Sequence, residues 1–211
     1  MEIHAPDKPI LTLKEATVHL LIVTVGILIA LSLEGIVEYI HHKTIVREAR
    51  AIMREEIEAN QNDLDQTLAR MALQKTDLEK GIKTFAAMAA GEKPTIEKMP
   101  YMLSYRAADP HKAAHATAEL MGAFAYMDYR EVSRYAAVYD AQDRFLEAQA
   151  TALREGTSAF AWFQQRDLKT AAPADLVLLS DRLRQTLASM TVAGQFAGGL
   201  QHRYKEFLAS N

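Results

Sequence analysis

His111, His115 and Glu119 recur at every fourth position. On a helix that spacing stacks them one turn apart on one face, where two imidazoles can grip one Zn²⁺ with the carboxylate close by. They are the candidate metal ligands of this chain, and the set is incomplete. A third or fourth ligand must come from another helix, with partners to orient the imidazoles, and no residue elsewhere declares itself. The plainer reading of the same residues is a solvated helix start. Glu38 and His41 have the Glu-x-x-His spacing of di-iron bundles, with Glu34 one turn earlier. No second such pair occurs, so a symmetric dimer would have to supply it. The plainer reading is a run of mixed charge, Glu34, Glu38, His41, His42 and Lys43, beside an apolar stretch, where the His pair could also respond to pH. Tyr126, Tyr129, Tyr135 and Tyr139 form one aromatic cluster and Phe160, Trp162 and Phe163 another; both read as core packing before they read as a ligand pocket. HExxH, GxSxG, P-loop and dinucleotide glycine patterns are absent, so the reading leans away from an enzyme and assigns no cofactor.

Whatever positions these residues is helical. Gly and Pro number 9 and 6 in 211 residues, while Ala, Leu, Met, Glu, Gln, Lys and Arg recur throughout. An apolar share of 49% supports a core, so disorder is not the default. A net charge of -3 with both signs interspersed gives no nucleic-acid footprint. With no Cys, disulfides, thiolate nucleophiles and Cys-based metal sites are excluded, and the compartment stays open.

Between Glu15 and Glu34 lie eighteen residues without a formal charge, 16–33, rich in Leu, Ile and Val. At the helical rise they span about 27 Å, the thickness of a bilayer's hydrocarbon, and predict a transmembrane helix after an N-terminal tail, 1–15. Thr12 with Glu15 three residues on has capping-box spacing and marks its start. A cleaved signal peptide, with Ala30 and Ser32 at the cleavage site, and a buried core helix are the competing readings; the run is long for the first and lacks the polar face of the second. Lys8 and Lys14 precede the span, and Lys43, Arg47, Arg50 and Arg54 follow it, so the basic residues favour a cytoplasmic C-terminal domain. Gly26 and Ala30 share one face of the span, a small-xxx-small pair that would let two copies dimerise.

No Pro occurs between Pro9 and Pro94, which predicts that the helix continues as a stalk over 34–90. Its stripe is Met53, Ile57, Leu64, Leu68, Met71, Leu78, Ile82, Phe85 and Ala89, interrupted by Asn60 and Lys75. Such length favours a coiled-coil or bundle stalk. Residues 91–100 read as a loop where the chain reverses, and 99–106 as a short irregular piece. A second helix is expected from Asp109-Pro110 to about Tyr126. A third should run from a capping box at Asp128 and Glu131 to about Glu155, with Gly156 ending or bending it. The last should start at Pro173, with a stripe of Leu176, Leu183, Leu187, Met190, Ala197, Tyr204 and Leu208. The expected fold class is all-α: a transmembrane helix continuing into a stalk that packs in an antiparallel helical bundle with residues 91–211.

Two stretches carry a resemblance. Residues 29–35, Ile-Ala-Leu-Ser-Leu-Glu-Gly, close the apolar helix, and 117–139 hold the phrase Gly-Ala-Phe-Ala-Tyr-Met between two helices. In both, and in layout over most of its length, the chain resembles a group of uncharacterised bacterial single-pass membrane proteins. The resemblance implies an anchor and a helical domain, and no activity. The functional expectation is a non-enzymatic protein of the inner membrane that touches the lipid bilayer, binds no nucleic acid, and associates with a protein partner or itself through its amphipathic faces. The alternative is a membrane-anchored ligand- or metal-binding sensor module.

Overall fold

The computed structural model describes residues 13–93, 107–165, 167–168 and 170–210. Among them every regular element is helical: α1 (Leu13–Ala89), α2 (Ala113–Leu120), a 3₁₀ turn (Ala123–Tyr126), α3 (Tyr129–Gln164) and α4 (Pro173–Ala209). The chain divides into two compact units, Met1–Glu48 and Ala49–Asn211, and α1 runs through the division.

In the first unit the helix is one turn after another of exposed apolar side chains. It is the one described helix long and apolar enough to cross a membrane; the most apolar window has a mean hydropathy of 2.5 and none of it is buried. The unit therefore does not use this stretch as core. Its hydroxyls are satisfied within the helix: Thr17, Thr24 and Ser32 donate to the carbonyls of Leu13, Leu20 and Leu28 at 2.8, 2.8 and 2.7 Å. Each hydroxyl is thereby paired inside its own helix without a partner from elsewhere. Thr12, the expected cap, lies outside the described residues.

The second unit is a bundle of three long helices. From Ile57 on, buried positions of α1 fall at 57, 60, 64, 67, 71, 74, 78, 81 and 85, alternating steps of four and three. α4 repeats the pattern from Leu176 to Phe207, and α3 from Tyr135 to Ala152. Each helix thus has one seam to bury, and the three bury theirs on one another. One cluster joins Leu78 and Phe85 of α1, Ala159 and Trp162 of α3, and Leu179 and Leu183 of α4. Arg50 meets Glu131, Glu56 meets Tyr139 and Asn60 meets Gln142, so α1 and α3 run in the same direction. Arg54 meets Leu208, Asp65 meets Gln201 and Ile82 meets Ser180, so α4 is antiparallel to both.

Several boundaries differ from those expected. α1 ends in a Schellman motif: the amides of Gly91 and Glu92 donate to Met88 and Ala87 at 3.0 Å each, with Gly91 at a φ of 87°. The loop and short piece assigned to 91–106 lie beyond Lys93 outside the described residues. The second helix starts at Ala113 rather than at Asp109-Pro110, because side chains of α1 and α3 take the backbone groups on which a helix there would depend. α3 does start at Asp128, whose side chain accepts from the Arg130 amide at 2.8 Å, but it passes Gly156 and ends at Gln164. A Cβ at Gly156 would meet only Thr186 Cγ2 at 3.7 Å, so nothing in the packing bends the helix there. Pro173 opens α4 as expected, with Ala172 as the extended cap residue.

Candidate functional site: a polar seam at the bundle entry

Four amides occupy seam positions where an apolar residue would pack: Asn60 and Gln74 of α1, and Gln142 and Gln149 of α3, all buried. Asn60, Gln142 and Gln149 hold the chain just before α2. Asn60 accepts from the His111 amide at 2.8 Å and donates to the His111 carbonyl at 2.7 Å. Gln149 does the same for Ala108, at 2.9 and 2.7 Å. Gln142 donates to the carbonyls of Pro110 and His111 at 3.2 and 3.1 Å, while its own oxygen accepts from Tyr204 at 2.8 Å. Asp63 takes the Asp109 amide at 3.1 Å. A side-chain amide carries an oxygen acceptor beside an NH2 group with two donors, so Asn60 and Gln149 pair with both groups of one backbone residue much as a neighbouring strand would.

One layer nearer the bundle entry, Glu56 takes two donors. It accepts from the Ala114 amide in the first turn of α2 and from the Tyr139 hydroxyl, both at 2.8 Å. A carboxylate at a helix N-terminus satisfies an amide and complements the dipole. Its presence explains why α2 begins without a side-chain cap of its own. His115 lies over Tyr139 at 4.3 Å and against Phe124 at 5.1 Å between ring centroids. Burial pushes its pKa below the ordinary 6.5, against the opposing pull of Glu119 and Glu56. Burial, then the bond to Glu56, raises the Tyr139 pKa, and burial raises that of Tyr204. These tyrosines are hydroxyl donors, not bases.

The residues expected to bind metal do not converge. His111 precedes α2 with its backbone pinned by Asn60, so it is not one helical turn below His115. His111 and Glu119 are exposed while His115 is half-buried against Tyr139 and Phe124. Among the described residues no group of three or more His, Cys, Asp or Glu is placed to hold an ion. Glu38 lies 3.8 Å from His42, the residue one turn on, rather than forming a site through His41. The aromatic residues separate: Tyr135 and Tyr139 are buried, Tyr126 and Tyr129 exposed; Trp162 joins the core and Phe160 does not.

In the sequence Asn60 interrupts an apolar stripe, and Gln142 and Gln149 belong to none of the expected sites. Their signal was there, in amides at the step-of-three-and-four positions of otherwise apolar seams. The partner they hold, the stretch at 108–111, leaves no periodic mark.

No protein-family model, curated protein or solved structure matches this chain.

Proposed function

We propose that this chain is a membrane-anchored, non-enzymatic protein whose helical bundle associates with other protein, a second copy included. What carries the reading is where the unused surface lies. The buried polar groups of the seam are engaged by the chain's own backbone, which leaves them little capacity for chemistry on a substrate. On the outside of α4, Val192 and Phe196 are exposed one turn apart, and a Cβ at Gly198 or Gly199 would meet nothing. Two interior glycines that cost helix stability without serving packing inside the bundle are explained by close approach of another chain. Gly26 and Ala30 would offer a second approach, within the membrane. The apolar helix is read as a retained anchor in a bacterial inner membrane, and the basic residues that follow it, Lys43, Arg47, Arg50 and Arg54, support a cytoplasmic bundle.

The test uses the absence of Cys in the chain. With Phe196→Cys in native membranes, oxidation or a short bifunctional reagent should yield a defined crosslinked species, and Gln185→Cys, elsewhere on α4, should not. Equal labelling at both positions with no crosslinked product sinks the reading. Reporter fusions at the C-terminus should be active only in their cytoplasmic form; activity of an exported reporter reverses the orientation.

A further inference from the structure

We propose that the end of the bundle at which the chain enters it docks on lipid. Leu120, Met121, Tyr126 and Tyr129 would sit at the boundary of headgroups and acyl chains, and a cleft between α1 and α3 would take the phosphate of an anionic phospholipid. The inference rests on the membrane-anchor reading above.

The ten residues from Leu120 to Tyr129 turn the chain from α2 into α3. A turn exposed to water is ordinarily built from Gly, Pro, Asn, Asp and Ser. Here Gly122, at a φ of 69°, and Asp128, the α3 cap, meet the backbone's requirements. Ala123 and Phe124 face inward, while four residues with apolar bodies project outward: Leu120 is 88% exposed, Met121 60%, Tyr126 51% and Tyr129 83%. Isolated exposed apolar residues need no explanation, but four within one short turn do. The turn is held firmly from below, since Phe124 packs on His115 and reaches Tyr135, and Tyr135 packs on Phe207 of α4 at 4.8 Å. Aliphatic side chains beside tyrosines, apolar bodies with polar tips, make the composition of a membrane interface.

Beside this turn lies a cleft of about 430 Å³ lined by Arg50, Ala51, Arg54, Glu131, Arg134 and Tyr135. Three guanidinium groups line it, against the carboxylate of Glu131 in the cleft and that of Glu58 paired with Arg54 at 3.0 Å, an excess of one positive charge. Glu131 is already held by Arg50 through two bonds of 2.7 Å. Arg54 donates to Glu58 and to the Leu208 carbonyl, and Arg134 to Ser210. Each guanidinium carries five N–H donors, so capacity for phosphate oxygens is left on all three. Charge complementarity therefore names the occupant's headgroup, and the adjoining apolar turn names the rest of it. Because Arg50 follows the apolar helix in the same chain, an anchored protein presents this surface to lipid at the high effective concentration of a tethered site, so weak affinity suffices.

The full chain, carrying Leu120→Cys with a polarity-sensitive fluorophore, would be reconstituted into phosphatidylcholine vesicles with and without phosphatidylglycerol. Flotation reports the anchor, and quenching by brominated lipid reports the turn. Leu73→Cys, about 35 Å further along α1 than Arg50 at the helical rise, is the water-facing reference. Quenching at position 120 but not 73, stronger with phosphatidylglycerol, is expected. Arg134→Gln should lower the apparent partitioning of the turn about fivefold and Arg134→Lys restore most of it. A chain that does not float overturns the anchor reading and this one with it. A chain that floats while position 120 behaves like position 73 overturns this one alone. Quenching that ignores phosphatidylglycerol and Arg134 removes the cleft from the proposal. Displacement by inorganic phosphate at constant ionic strength assigns the cleft to free phosphate instead.

Discussion

Gln149 shows what a single seam residue does here. Replacing it by Leu keeps most of its volume but strands the amide and carbonyl of Ala108 in a buried place, a loss of about 2–4 kcal/mol by the usual cost of unpaired buried groups. Urea unfolding of Gln149→Leu should show that loss, and a variant as stable as the parent would mean water replaces the amide. His115 supplies a pH dependence whose direction follows from its lowered pKa. Between that value and the ordinary 6.5 the unfolded chain binds more protons than the folded one, so the contribution of neutral His115 is complete above 6.5 and lost as pH falls. The unfolding midpoint should therefore fall on acidification, and His115→Phe, which keeps a ring over Tyr139, should flatten the slope. Neither residue could be assigned its role from sequence. The spacing of His115 from His111 suggests a ligand pair only on a helix that starts at Pro110, three residues before the observed first turn.

At the scale of elements, regularity made the chain readable. The apolar run, the stop after Ala89 at Gly91, the cap at Asp128 and the proline at the head of α4 are local signals, and local backbone chemistry decides them. Gly156 does not end α3, for a physical reason. Glycine ends a helix where the backbone must turn left-handed, as at Gly91 and Gly122, but inside a helix held by seams on both sides it only weakens it. Gly156→Ala should therefore raise stability by about 0.5–1 kcal/mol, since the new methyl meets Thr186 at an ordinary distance. Thermal unfolding in the presence of denaturant would resolve it, and a lower midpoint would show that α3 needs the glycine. α2 is the opposite case. Glu56 of another helix satisfies its first turn, so no cap is written in its own sequence.

For the whole molecule, Ala49–Asn211 is a compact unit of its own, and the apolar helix contributes no buried residue from its membrane-length window. A fragment beginning near Ala49 should be soluble, helical by circular dichroism and cooperative in unfolding; aggregation or a non-cooperative melt would show that the bundle depends on the preceding helix. The sequence by itself determined the all-helical class, a helix able to span a membrane, and one seam position per heptad of α1 and α4. Each of these follows from composition and period along a continuous stretch of chain. Only the tertiary structure decided that α1 and α3 run in the same direction, that Asn60, Gln142 and Gln149 belong to the core, and that His111 and His115 part company. Those depend on residues roughly forty to eighty positions apart, and a buried amide declares its purpose only when the backbone it holds is beside it.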